Sequence, residues 1–153
     1  MRKSPLFIIL SLLVVLAACK SSQSTTERPS PESPNLNNSS WVVTVMGVAN
    51  GRPAPVLSDS QVTLNFKDKG VSGNTGCNSY SSTCEIKGNY MKVAEISQTE
   101  AYCDSPQGVM NQEKQFLAYL KQATSFEIQE DGMLRISCSG GNMILLKEAG
   151  AKK

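Results

Sequence analysis

The 153-residue chain contains no histidine. That excludes a Ser-His-Asp triad, the common Cys-His dyads and every histidine-ligated metal site. It also has no excess of basic charge once its first residues are set apart. Taking Arg2 and Lys3 from the 15 basic residues leaves 13 against 13 acidic ones, and the only basic run is the terminal Lys152-Lys153. A nucleic-acid binder held by charge carries clustered Lys and Arg in excess, so no nucleic-acid partner is expected. No Cys-x-x-Cys pair is present, which argues against a redox catalyst. Nor is there a phosphate loop, because Gly70-Val71-Ser72-Gly73-Asn74-Thr75-Gly76 lacks the following lysine and helix. The longest apolar run, residues 6–16, is interrupted only by Ser11 and is shorter than the roughly 20 residues a permanent membrane helix needs.

That run sits behind Arg2 and Lys3 and ends in Leu16-Ala17-Ala18-Cys19. The order of basic residues, apolar core and small residues before a cysteine reads as an export signal cleaved before a lipid-accepting Cys19. Several acyl chains on Cys19 would tether the protein stably, where a single chain holds only marginally. The expected partner is therefore a membrane, reached through the lipid. The expected place is the cell envelope. Lys20 stands where an Asp would commonly signal retention in the inner membrane, so in a diderm host the anchor is expected in the outer membrane, facing the periplasm.

Residues 19–40 are rich in Ser with Pro29, Pro31 and Pro34, and Leu36 is their one sizeable apolar residue. Such a composition does not offset its ordering entropy, and it reads as a disordered tether. The domain plan is thus a signal at 1–18, a lipidated cysteine and tether at 19–40, one folded domain at 41–147, and a tail at 148–153.

From Trp41 onward, short runs alternate with period two between turn residues, the mark of antiparallel strands. Strands are expected at 41–48, 62–67, 71–72, 79–86, 90–96, 125–129, 133–138 and 143–147. Lys87-Gly88-Asn89, Glu130-Asp131-Gly132 and Gly140-Gly141-Asn142 supply hairpin turns. One stretch departs from the alternation. Asp104-Ser105-Pro106 offers a cap and a proline for a first helical turn, and Val109, Met110, Phe116, Leu117 and Leu120 recur at helical spacing. Residues 106–122 are expected to be one amphipathic helix. The fold expected is mainly β: a small antiparallel barrel or strongly curved sheet with the helix across one end or face.

Apart from Cys19 there are four cysteines, Cys77, Cys84, Cys103 and Cys138, which allow three pairings. The carboxylates Glu95, Glu100 and Asp104 lie near one another in sequence, but their spacing gives no reason to pair them for acid-base work, and they read as solvated charges. No catalytic residue, metal site or cofactor is expected.

Gly73-Asn74-Thr75-Gly76-Cys77-Asn78-Ser79-Tyr80, then Thr99-Glu100-Ala101-Tyr102-Cys103, then Glu113, Phe116 and Leu120 on a helix, resemble the META domain. The resemblance runs from about Trp41 to about Lys147 and extends to the HslJ-like envelope lipoproteins. It implies a lipocalin-like small β-barrel and no known reaction. Glu100 departs from the family, where many members carry a basic residue. The resemblance marks Gly76, Cys77, Asn78, Tyr80 and Thr99 as motif residues, with Cys77 and Cys103 as disulfide partners. Cys84 and Cys138 are then left either to pair, both being in phase with the core, or to stay as buried thiols. Asn78 is expected to satisfy local turn backbone, and Tyr80 and Trp41 to be core walls. The function expected is a non-enzymatic binding or stress-tolerance factor of the envelope. The alternative is a periplasmic hydrolase inhibitor or a carrier of a small apolar ligand. A protruding loop at 51–60 would favour the inhibitor and an open cavity the carrier.

Overall fold

The computed structural model describes residues 34–48 and 51–150. The signal, Cys19 and most of the tether lie outside the described residues. The strands are β1 (Ser39–Val48), β2 (Ala54–Pro55), β3 (Thr63–Lys67), β4 (Gly70–Asn74), β5 (Ser79–Lys87), β6 (Tyr90–Val93), β7 (Ser97–Gln98), β8 (Ala123–Ile128), β9 (Leu134–Cys138) and β10 (Asn142–Glu148), with the helix α1 (Val109–Lys121) between β7 and β8. Eight of them form an antiparallel meander in the order β1-β3-β4-β5-β6-β8-β9-β10. It closes because β10 pairs back onto β1, from Trp41 opposite Glu148 to Val48 opposite Asn142. The result is a closed eight-stranded β-barrel with one helix. The short β2 lies along β1 and β7 along β5.

Alternation explains most of the core. Val62, Leu64 and Phe66 point inward from β3 and its approach, as do Leu134, Ile136 and Cys138 from β9. β1 begins the same way with Trp41 and Val43 and then changes phase, so that Met46 rather than Val45 is buried. The cause is a bulge: Val43 faces Leu146 and Val45 faces Leu145, which leaves Thr44 as the extra residue. The interior is filled by Leu64, Met91, Phe126, Leu134, Ile144 and Leu146, and the helix adds Phe116 and Leu120.

Several expected boundaries move, among them the strand expected at 90–96, which ends at Val93. The folded body begins before residue 41, since Leu36 is buried in the core and Asn37 Oδ1 accepts the Asp68 N–H at 2.7 Å. It also extends past 147, because Glu148 is still in β10 and the Ala149 N–H reaches the Ser40 carbonyl. The helix opens at Val109 rather than at Pro106. Asp104 and Ser105 do not cap it; Gly108, at φ +92°, turns the chain into the helix, and the Val109 N–H is taken by the Pro106 carbonyl. Cys103 is already tied elsewhere, so the chain needs the residues up to Gly108 to reach the helix direction.

Strand direction sorts the connections to two ends. The helix end carries the β4–β5 turn, residues 51–62, residues 94–108, α1 and the β9–β10 turn. The chain-entry end carries residues 34–38 and the turns at 68–69, 88–89 and 129–133.

Candidate functional site

All five motif residues meet at the helix end, where they are brought together around two buried polar side chains, Asn78 and Glu113. The β4–β5 turn is closed by the Thr75 N–H donating to the Asn78 carbonyl at 2.8 Å, while the Asn78 N–H donates to Thr75 Oγ1 at 3.0 Å. Gly76 occupies φ +103° inside this turn, and a side chain there would run into Ser60 Oγ.

The Asn78 side chain uses its full hydrogen-bonding capacity. Its Oδ1 accepts from Thr99 Oγ1 at 2.7 Å and from the Ala101 N–H at 2.8 Å. Its Nδ2 donates to the Ala101 carbonyl and to Glu113 Oε1, both at 3.0 Å. Asn78 therefore satisfies backbone 23 residues away rather than its own turn, which corrects the local role expected for it. Glu113 also receives the Asn78 N–H at 3.2 Å and meets the Thr75 hydroxyl. Among the described residues no ion pair involves it. Its neighbour Gln112 turns inward too: its Oε1 accepts the Leu57 N–H and its Nε2 donates to Ser60 Oγ, both at 2.8 Å. Two polar residues thus lie on the buried helix face. Reading that face from its apolar spacing misses them, although three-residue periodicity with Val109, Phe116 and Leu120 would have placed them there.

Cys77 and Cys103 are joined by a disulfide, with Cα atoms 5.9 Å apart. Residues 99–103 are thereby held at one end by Thr99 and Ala101 on Asn78 and at the other by sulfur. Between these ties Tyr102 is 83% exposed, and Glu100 and Asp104 also face solvent. Tyr80 is a core wall, as expected. Its ring meets Phe116 edge-on at 5.4 Å and its hydroxyl donates to the Thr63 carbonyl at 2.8 Å. The ring passes over Gly73, where a Cβ would collide with that carbonyl. Burial pushes the Tyr80 hydroxyl above its ordinary pKa. Trp41 is likewise buried, with Nε1 donating to Ser39 Oγ at 2.7 Å.

Of the two readings left open for Cys84 and Cys138, the structure has the second: they do not pair, and both are buried free thiols, one on β5 and one on β9. Burial raises their pKa values to about 11 and about 12, which makes them poor nucleophiles. Residues 51–60 do not protrude as a free loop. β2 pairs with β1, the Val56 N–H reaches the Thr44 carbonyl, and Gln112 holds Leu57 and Ser60. Among the described residues no group of three or more His, Cys, Asp or Glu is placed to hold a metal ion.

The class so defined is a small, filled, antiparallel β-barrel whose helix is fixed to one end by a buried amide–carboxyl network. The profile of the META domain matches residues 34–150, and the chain belongs to the META domain family. A protein from Burkholderia xenovorans solved by NMR superposes with a TM-score of 0.64 at 20% identity, over 83% of this chain and 97% of that one. The crystal structure of a DUF4847 family protein from Bacteroides vulgatus gives 0.52 at 12% identity, over 76% and 96%. These likenesses establish the shared fold. A search of curated proteins finds no significant match.

Proposed function

We propose that this META domain is a non-enzymatic, lipid-anchored envelope protein that supports the envelope under stress by binding a partner protein through residues 99–103. The observation that carries this reading is Tyr102, 83% exposed on a segment tied at both ends. A large amphipathic side chain on pre-ordered backbone loses little freedom on binding, which favours contact with a protein. The hydrolase-inhibitor alternative loses the protruding loop that would have favoured it, because residues 51–60 are held by β1 and Gln112. The carrier alternative loses support, because Leu64, Met91, Leu134, Ile144 and Leu146 occupy the barrel interior. The carboxylates Glu95, Glu100 and Asp104 all face solvent.

The test is photo-crosslinking in living cells, with a benzophenone amino acid in place of Tyr102 and, as a control, of Asn89 at the opposite end. A discrete adduct at 102 that is missing at 89 is the expected result. No adduct at 102, or the same adducts at both positions, overturns the binding edge.

A further inference from the structure

The chain-entry end has a surface that the binding reading leaves unused. β5 continues past its neighbour: β4 pairs with it only as far as Thr83, and beyond that point only β6 accompanies it, from Cys84 to Lys87. The missing neighbour leaves an open depression of about 640 Å³ beside the β3–β4 turn, floored by Cys84 and Ile86 and rimmed by Lys69, Lys87 and Lys92. A second depression shares Asp68, Cys84 and Ile86 with it and is walled by Pro34 and Asn35, where the chain enters the domain. Ile86, which strand alternation should bury beside Cys84, is 38% exposed, and Tyr90 at the adjoining hairpin tip is 44% exposed. The lining carries Lys69, Lys87 and Lys92 against Asp68 and Glu85, and with Glu85 paired to Lys87 it keeps one positive charge in excess.

We infer that this end docks on an anionic phospholipid bilayer, with Ile86 and Tyr90 at the headgroup boundary and Lys69 and Lys92 against lipid phosphate. The inference rests on the lipid-anchor reading. Cys19 precedes Pro34 by 15 residues, and a chain of that length spans at most about 50 Å however it is arranged. The tether joins the domain at the chain-entry end, so this end can meet the bilayer without the tether having to pass along the barrel. Aromatic rings with a polar tip favour that boundary, and lysines near it gain from anionic lipid. Docking by this end also leaves Tyr102, at the other end, directed away from the membrane.

The mature protein, purified from the envelope and reconstituted in vesicles, tests this by hydrogen exchange. In vesicles of phosphatidylcholine with phosphatidylglycerol, amides of residues 84–92 should exchange roughly tenfold more slowly than in phosphatidylcholine alone, with residues 99–103 unchanged. High salt, Lys69→Glu with Lys92→Glu, or Ile86→Ser with Tyr90→Ser should each abolish the difference, while far-ultraviolet dichroism of the variants stays native. Equal exchange in the two vesicles, or a difference that survives charge reversal, overturns the docking. Equal slowing by free glycerol phosphate overturns the bilayer as the ligand. The mass of the N-terminal peptide reports acylation of Cys19 separately, so a missing lipid and a missing dock give different results.

Discussion

At the helix end, Thr75, Asn78, Thr99, Ala101 and Glu113 converge in one buried network, Gln112 adds a second set of bonds, and a disulfide closes the edge. At the chain-entry end the turns are short, the ion pair of Lys87 with Glu85 is solvent-exposed, and Ile86 lies open beside a strand with one neighbour fewer. The same barrel is thus locked at one mouth and loose at the other. The lock needs cross-links because the helix and residues 94–108 interrupt the meander there and have no ladder beyond the two-residue β7. The loose end has hairpin turns, which the strands hold, and the entering residues 34–38, which reach the β3–β4 turn by the single hydrogen bond of Asn37 to Asp68. Polar residues spaced far apart in sequence are the means by which a small β-barrel seats its one helix.

The comparison breaks most visibly at the disulfide. The Cys77→Ser, Cys103→Ser double variant removes the closure of a loop with a sequence separation of 26, and urea melts should show a loss of roughly 3 kcal/mol. A loss under about 1 kcal/mol would mean that the hydrogen bonds alone hold the edge. Glu113→Ala comes next. It strips the Asn78 amide of a buried partner and should cost about 2–3 kcal/mol, with Glu113→Gln costing clearly less because one acceptor remains. Glu85→Ala, at the loose end, should leave the same melt unchanged within error, because its pair with Lys87 is exposed to solvent.

The two free thiols sharpen the contrast through pH. Both have folded pKa values raised by burial, to about 11 for Cys84 and about 12 for Cys138. The unfolded chain releases these protons from about pH 8.5 upward while the folded chain keeps them. Their contribution is therefore complete below that pH and is lost as pH rises through 11 to 12, by about 1 kcal/mol per thiol at pH 11 after allowing for partial solvent access. Tyr80, also raised, acts in the same direction. Melts between pH 8 and 11 should flatten in the Cys84→Ala, Cys138→Ala variant. Cys84 borders both depressions at the loose end, so alkylation followed by mass spectrometry should modify it before Cys138. The smallest effect belongs to the exposed pair of Lys121 with Glu95: Lys121→Ala should shift stability by less than about 0.5 kcal/mol, within the error of most melts.

What could be read from the sequence was whatever short-range pattern carries. Val62, Leu64 and Phe66 showed their face by alternation, and Gly88, Gly132 and Gly140 marked turns where φ is positive. Leu36 was missed because one apolar residue among serines and asparagines has no period. The bulge at Thr44 was missed because one inserted residue leaves alternation intact on both sides. The capping signature at Asp104-Ser105-Pro106 misled because a tie at Cys103, invisible locally, decides where the helix can begin. The motif residues could be picked out, whereas their geometry could not. Asn78 finds Ala101 and Glu113 at separations of 23 and 35; helical spacing with Val109, Phe116 and Leu120 sets Glu113 on the buried face, but nothing in the sequence says which groups meet it there.

The closing pair of the barrel joins the first long strand to the last, Trp41 opposite Glu148 and Val48 opposite Asn142. During synthesis, β1 can find β3 as soon as the first hairpin has emerged, but its other edge waits for the final residues of the chain. Until then the sheet is open, with two exposed edges that invite pairing with other chains. A ribosome stalled before residue 142 would thus leave nearly the whole domain built and still unclosed. Such a product is a target for proteolysis and aggregation rather than a slightly weaker protein.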